Sequence, residues 1–205
     1  MPQPSPAAEP EPSRSQARRR QILDAAAICF ARTGFHGTSI AALSHATGMS
    51  PGHIYHFFAN KEAIITALIE RKLERSLELV QQFEKAEDIF QALIDRVDVG
   101  FYEKTDLDNA ALELEILAEA ARNPRVAASV QAADRIKRER LIGVLRSVQD
   151  AQHPAPERAQ TAAMTELLMA LFDGLAVRIV NHPTIDREVL LPLLRTALQL
   201  LIARL

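Results

Sequence analysis

His53, Tyr55 and His56 stand close together just after a Ser50-Pro51-Gly52 start, and Lys61 follows. Two imidazoles, a phenol and an ammonium supply hydrogen-bond donors and positive charge, which suits contact with base edges and phosphates. No nearby Cys, Asp or Glu completes a metal site around the two histidines, so no metal is expected there. No nucleophile elbow, phosphate loop or paired acid and base occurs anywhere in the chain, so it is not expected to be an enzyme and no cofactor is called for.

Two short helices around a tight turn must position those side chains. Thr38 or Ser39 can cap the first, and Ile40, Ala41, Leu43 and Ala46 recur at a helical rather than a strand period. Gly48 can supply the left-handed residue that ends it. Ser50 then offers an N-cap hydroxyl, and Pro51 at the first helical position loses no useful hydrogen bond. Helix, glycine-containing turn and helix within about 20 residues is the signature of a DNA-binding helix-turn-helix. In that arrangement Ile54, Phe57 and Phe58 are expected in the core.

Residues 48–62, G-M-S-P-G-H-I-Y-H-F-F-A-N-K-E, resemble the recognition-helix signature of the TetR (tetracycline repressor-like) family of bacterial transcriptional regulators. The flank at 34–39, G-F-H-G-T-S, resembles that family's entry into its second helix, and the match covers about 21–68. The resemblance implies base-edge and adjacent phosphate contacts from Pro51, Gly52, His53, Tyr55 and His56. It implies phosphate contacts from Thr38, Ser39 and Lys61. Lys61 is a cation at a helix start that supports no obvious core. Two positions depart from the family pattern: Pro51 stands where many members have a polar or basic side chain, and His56 where many have an aromatic. The reading helix has no Arg or Lys for the bidentate contact to guanine. Specificity is then expected from histidine contacts, thymine methyl contacts and DNA shape.

Charge is distributed to match. The 205-residue chain carries a net −2. Through Lys61 it holds six cationic side chains against three carboxylates, a net +3, which leaves −5 for the remainder. A basic head on an acidic body is the footprint of a DNA-binding segment carried by one that does not touch DNA. The run Arg18-Arg19-Arg20 reads equally as a solvated helix start or as phosphate contacts. One cysteine, Cys29, precludes an intrachain disulfide and reads as a small core residue. No signal peptide is visible. The most apolar run, 162–180, is interrupted by Glu166, Asp173 and Arg178, so no membrane span and a cytoplasmic protein are expected.

The expected organisation is a disordered Pro-rich tail over 1–13, a helix-turn-helix DNA-binding domain over 14–61, and a helical effector-binding and dimerisation domain over 62–205. The fold class is all-α, with about nine helices, also the family's usual number. The first runs over about 17–33 with Ile22, Ala26, Cys29 and Phe30 inside, and Gly34 ends it. Asn60 caps a long helix to about 83 that joins head to body. Body helices are expected at 87–104, 108–121, 124–150, 156–181 and 186–204, with a break at 153–156, H-P-A-P. Residues 113–124 and 172–175 resemble the C-terminal domain of the subgroup that includes the choline-responsive BetI-type repressors.

The last two helices are apolar around most of their circumference, which favours a symmetric four-helix homodimer interface, with Leu171, Gly174, Leu175, Leu194, Leu198 and Leu201 as its candidates. Gly174 costs about 1 kcal/mol against Ala within a helix, and close helix approach across the interface would explain it. The family resemblance implies a repressor that binds a near-palindromic double-stranded operator as a homodimer and is released by a small-molecule effector. Effector-contact candidates are Phe90, Phe101, Tyr102, Glu113, Leu117, Phe172 and Arg178, with Glu113 and the aromatics suited to a cation. A dimeric DNA-binding protein controlled by a partner protein, or constitutive, is the alternative; an enclosed apolar pocket of ~300–1,000 Å³ discriminates against it.

Overall fold

The computed structural model describes residues 13–152 and 158–205. The tail expected over 1–13, Ser13 apart, and the break at 153–156 lie outside the described residues. The described residues form helices and no strand.

Local polar chemistry delimits the first four helices. α1 (Arg14–Gly37) starts where Ser13 accepts from the Gln16 N–H and the Gln16 side chain accepts from the Ser13 N–H. This capping box satisfies two orphan donors and sets the start three residues before the expected 17. Gly34, at φ +76°, breaks the helix before its last turn. An added Cβ there would meet Glu115 Oε1 at 3.2 Å, so backbone and space both require glycine. α2 (Ile40–Thr47) is capped by Ser39, which accepts from the Ala42 N–H, and ends at Gly48 with φ +67°. α3 (Pro51–Phe57) is capped by Ser50, which accepts from the His53 N–H. α4 (Lys61–Glu84) begins at Asn60, which accepts from the Ala63 N–H.

Six helices follow: α5 (Ile89–Asp95), α6 (Val97–Lys104), α7 (Leu107–Ala120), α8 (Pro124–Gln152), α9 (Arg158–Asn181) and α10 (Arg187–Ile202). The single helix expected over 87–104 is two, broken at Arg96 (φ −104°, ψ 15°). Arg96 is an ordinary helix former with neither Gly nor Pro beside it, so no local signal marks that break. Counted as one broken element, α5 and α6 bring the described helices to nine.

The apolar interior does not divide at residue 61. One cluster gathers Phe30, Leu43, Ile54 and Leu68 from α1–α4 and continues into Leu112 and Ile116 of α7 and Val126 of α8. Cys29 packs half-buried against it. Each large side chain buried there is worth about 1.5–3 kcal/mol, so the reading helices are braced partly by residues far along the chain. A second cluster joins Ile94 and Phe101 to Leu145, Leu175, Leu198 and Ile202. The last residue is tied down too: buried Gln149 donates to the Leu205 carbonyl at 2.9 Å and accepts from Thr161 at 2.6 Å.

Candidate functional site

The α2–α3 pair presents a compact exposed surface. Ile54 is fully buried, which pins α3 to the core, while Pro51, Gly52, His53, Tyr55 and His56 face solvent. Tyr55 is half exposed. The His53 and His56 ring centroids are 6.5 Å apart, and both rings pack against Phe57. Phe58 is buried and Phe57 half-buried. Arg19 of α1 lies 5.2 Å over the Phe58 ring, so one member of the arginine run is held against the reading pair. Ser39 is exposed. His45 of α2, which sequence reasoning did not single out, is exposed too.

Two residues expected at phosphates are used inside the fold. Thr38 is 1% exposed; its hydroxyl donates to the Gly34 carbonyl at 2.8 Å and lies 2.8 Å from the Thr33 hydroxyl. Its side chain is therefore spent on closing the α1–α2 corner. Lys61 Nζ donates to the carbonyls of Phe35 (2.5 Å) and Thr38 (2.9 Å) and lies 4.5 Å from the centre of the Phe35 ring. Burial holds the Lys61 ammonium below the ordinary lysine range, with the Glu119 carboxylate pulling the other way. The view that Lys61 supports no core is corrected: it clamps the start of α4 to the α1–α2 corner, because carbonyls freed by the Gly34 break need a donor.

Helix α7 grips the same corner. Glu115 Oε1 accepts from the Phe35 N–H at 2.5 Å. Glu119, almost fully buried, places Oε2 at 2.9 Å from His36 Nε2, a close contact without aligned hydrogen-bond geometry. Its Oε1 accepts from Asn123, which also donates to Glu62 of α4. The contacts of Phe35, His36 and Glu62 with Glu115, Glu119 and Asn123 span 61 to 83 residues of sequence, and no local pattern announces them.

The body holds a cavity of about 420 Å³ under α4. Leu79, Val80 and Phe83 of α4 face Leu141 and Leu145 of α8, and Met169 and Phe172 of α9 close another wall. An adjoining space of about 180 Å³ shares Ser76, Glu103, Lys104 and Lys137 with it and adds Glu113 and Leu117. Of the expected effector contacts, Phe172 alone lines the larger cavity, and Glu113 and Leu117 line the smaller. Phe90, Phe101, Tyr102 and Arg178 line neither. Phe101 is wholly buried in the second cluster, Phe90 packs on that cluster, and Tyr102 and Arg178 point to solvent. The cavity face of α6 is Val97, Gly100 and Lys104, one helical stripe, with Glu103 beside it. Picking aromatics by type missed that stripe. It also missed Arg75 to Phe83, which seemed needed only to join head to body.

Glu113 is not free to receive a cation. Its carboxylate takes Lys104 at 2.5 Å and Lys72 at 3.4 Å, and Lys104 also reaches Asp173 at 2.7 Å. Burial alone would raise the Glu113 carboxyl, but Lys104 and Lys72 outweigh it and hold it below the ordinary range. Burial alone would lower Lys104, and Glu113 with Asp173 outweigh that and raise it.

The final helices separate into two faces. Leu175, Leu194 and Leu198 are buried in the chain's own second cluster, so as interface candidates they are corrected: their side chains are spent within the protomer. Leu171 remains exposed, Leu201 is half-buried, and among the described residues nothing beyond its own stretch of helix comes within 4 Å of a Cβ added at Gly174. With Leu171, the exposed large apolar side chains are Leu167, Val177 and Val180 of α9 and Val189, Leu193 and Leu200 of α10, the last two 63% exposed. Both helices read as apolar all round in sequence; in α9 the period does not divide the faces, whereas α10 carries a marked apolar stripe that does. No described helix is long and apolar enough to cross a membrane.

Comparison with known proteins agrees with this geometry. Residues 22–68 match the profile described as "Bacterial regulatory proteins, tetR family", and 101–203 match "BetI-type transcriptional repressor, C-terminal". The HTH-type transcriptional regulator UidR of Escherichia coli K12 is 32% identical over 164 residues, covering 78% of this chain and 80% of UidR. The solved structure of Salmonella enterica GusR superposes with TM-score 0.76 at 29% identity, over 95% of this chain and 100% of that one. Bacillus subtilis FadR in complex with stearoyl-CoA superposes with TM-score 0.72 at 20% identity, over 89% and 96%, a likeness of fold.

Proposed function

From its membership of the TetR family of bacterial regulatory proteins, in which the matched relatives are transcriptional regulators rather than enzymes, we propose that this chain is an effector-released repressor working as a homodimer in the cytoplasm. Residues 14–61 read the operator and 62–205 bind the effector and dimerise, with the tail over 1–13 outside both tasks. Pro51, Gly52, His53, Tyr55 and His56 meet bases and adjacent phosphates, and Ser39 meets a phosphate. The exposed leucines of α9 and α10 face their counterparts across a two-fold axis. Two heads so related read half-sites roughly 34–36 Å apart in successive major grooves.

The observation that carries the effector is the cavity of about 420 Å³, within the usual span of small-molecule sites. The same fold holds stearoyl-CoA in Bacillus subtilis FadR. Release needs the effector to bind the free and DNA-bound arrangements unequally, with a coupling typically of ~1–3 kcal/mol. Two routes lead from cavity to head: α4, which lines the cavity and begins at Lys61, and α7, which carries Glu113 at the smaller space and Glu115 at the Phe35 N–H.

The test is binding of the full-length protein to DNA immediately upstream of its own gene, against random DNA, across a salt series. Preference for the upstream DNA, lost on adding extract from cells grown under different conditions, is the expected result. Equal binding of both DNAs rules out self-regulation, and no binding of either at low salt overturns the repressor function.

A further inference from the structure

We propose that the cavity under α4 selects an amphipathic organic anion, with an oxyanion head met by Arg75 and Lys137 and an apolar body between α4, α8 and α9. This deepens the effector function above and rests on it. The walls set the apolar part: Leu79, Phe83, Leu141, Leu145, Met169 and Phe172 offer no polar atom to a ligand body. Gly100 shapes the space, because a Cβ there would come within 2.8 Å of the Phe172 ring. Without a side chain on α6, Phe172 lies against that helix instead of being displaced.

Charge sets the head. Arg75, Arg96, Lys104 and Lys137 border the cavity, and Glu103 is the one carboxylate among them. Lys104 is already neutralised by Glu113 and Asp173. Arg96 donates only to the neutral Gln82 side chain. Arg75 and Lys137 have no hydrogen bond or ion pair from their side chains to any described residue, although Lys137 is half-buried. Three cations without a carboxylate partner, set against one free carboxylate, leave the site positive. A positive site with apolar walls stabilises a carboxylate or phosphate on an apolar stem and disfavours a quaternary ammonium. Glu103 works against that preference, so its removal strengthens binding.

The experiment is calorimetric titration of the full-length protein, below micelle-forming concentrations, with decanoate, decyl phosphate, decanol and decyltrimethylammonium. Decanoate or decyl phosphate is expected to bind about tenfold or more tighter than decanol, the scale of one or two charge-assisted hydrogen bonds. Whichever binds tighter identifies the head group. Arg75→Gln with Lys137→Gln is expected to erase the preference while retaining decanol binding, and Glu103→Gln to increase it, a gain that damage to the fold cannot produce. Decanol or the ammonium binding as well as the anions overturns the anion assignment and leaves the effector function standing. Decanoate binding undiminished in the cavity-filling Leu141→Trp puts the site elsewhere and also overturns it. No binding by any of the four compounds, to protein that still unfolds cooperatively, overturns the anion assignment and the effector function together.

Discussion

The head and the body differ in what they leave unsatisfied. Around α1–α4 several polar groups that could serve DNA are first enlisted by the fold: Ser39 and Ser50 cap helices, Thr38 closes a corner, and Lys61 bridges two carbonyls. What remains exposed on the recognition helix is small, a row of His, Tyr and proline-glycine. The body does the reverse. It leaves apolar area open on α9 and α10 and a cavity lined by unpaired cations. A reading head must hold a fixed shape, since a base contact is worth its energy only in register. A sensing body needs surplus surface that a partner or ligand can complete.

The largest test of that contrast is in the body. Leu193→Glu with Leu200→Glu places charge on the open apolar face, and a dimer built there is expected to dissociate, at a cost of several kcal/mol. Sedimentation would show a folded monomer with unaltered helical content. Leu198→Glu, on the same helix but buried, is expected to unfold the chain instead. A double variant that remains dimeric moves the interface off α10.

Lys61 tests the head. Removing its ammonium in Lys61→Ala strips donors from the Phe35 and Thr38 carbonyls, a loss of about 1–3 kcal/mol. Thermal unfolding is expected to fall by several degrees, and DNA affinity to fall with the salt slope unchanged. Intact stability with a salt slope reduced by about one would instead make Lys61 a phosphate ligand and erase the distinction drawn here.

The two regions were also unequally legible in sequence, for the same physical cause. Caps, left-handed glycines and a first-turn proline act within three or four residues of themselves, so Ser50-Pro51 and Gly48 announce α3 without reference to the rest of the chain. Lys61 shows the limit: its type and place at a helix start were visible, its two acceptors 23 and 26 residues upstream were not. The cavity is assembled from six helices, and most of its residues are ordinary apolar side chains, a glycine and charges whose meaning lies in which partner they lack. Phe101 was a candidate ligand contact and is core, while Arg75, which sequence reasoning did not single out, borders the cavity.

The charged knot between the regions should respond to acid. Glu113 is held below the ordinary carboxylate range by Lys104 and Lys72, so its stabilising contribution is fully present above pH 4.5, its ordinary value, and is lost as pH falls through the lower folded value. Urea midpoints followed downward from pH 5 are expected to drop more steeply for the native chain than for Glu113→Gln. Parallel curves would mean the knot contributes nothing that protonation can remove, and α7 would lose its claim to carry a signal from the smaller cavity to the Phe35 corner.

The smallest expected effect is the one that isolates the reading surface from the fold. Tyr55 is half exposed and lies on α3 beside fully buried Ile54, so Tyr55→Phe keeps the ring and removes only the hydroxyl. Stability should be unchanged, because that hydroxyl makes no hydrogen bond to any described residue. If the hydroxyl donates to a phosphate, DNA affinity falls by about 0.5–1.5 kcal/mol, and it falls alike for operator and random DNA, since phosphates carry no sequence. The salt slope should not move, because a neutral donor releases no counterion. A loss confined to the operator would make Tyr55 a base contact. No loss with either DNA would remove it from the interface and leave the histidines to carry α3's share of the recognition.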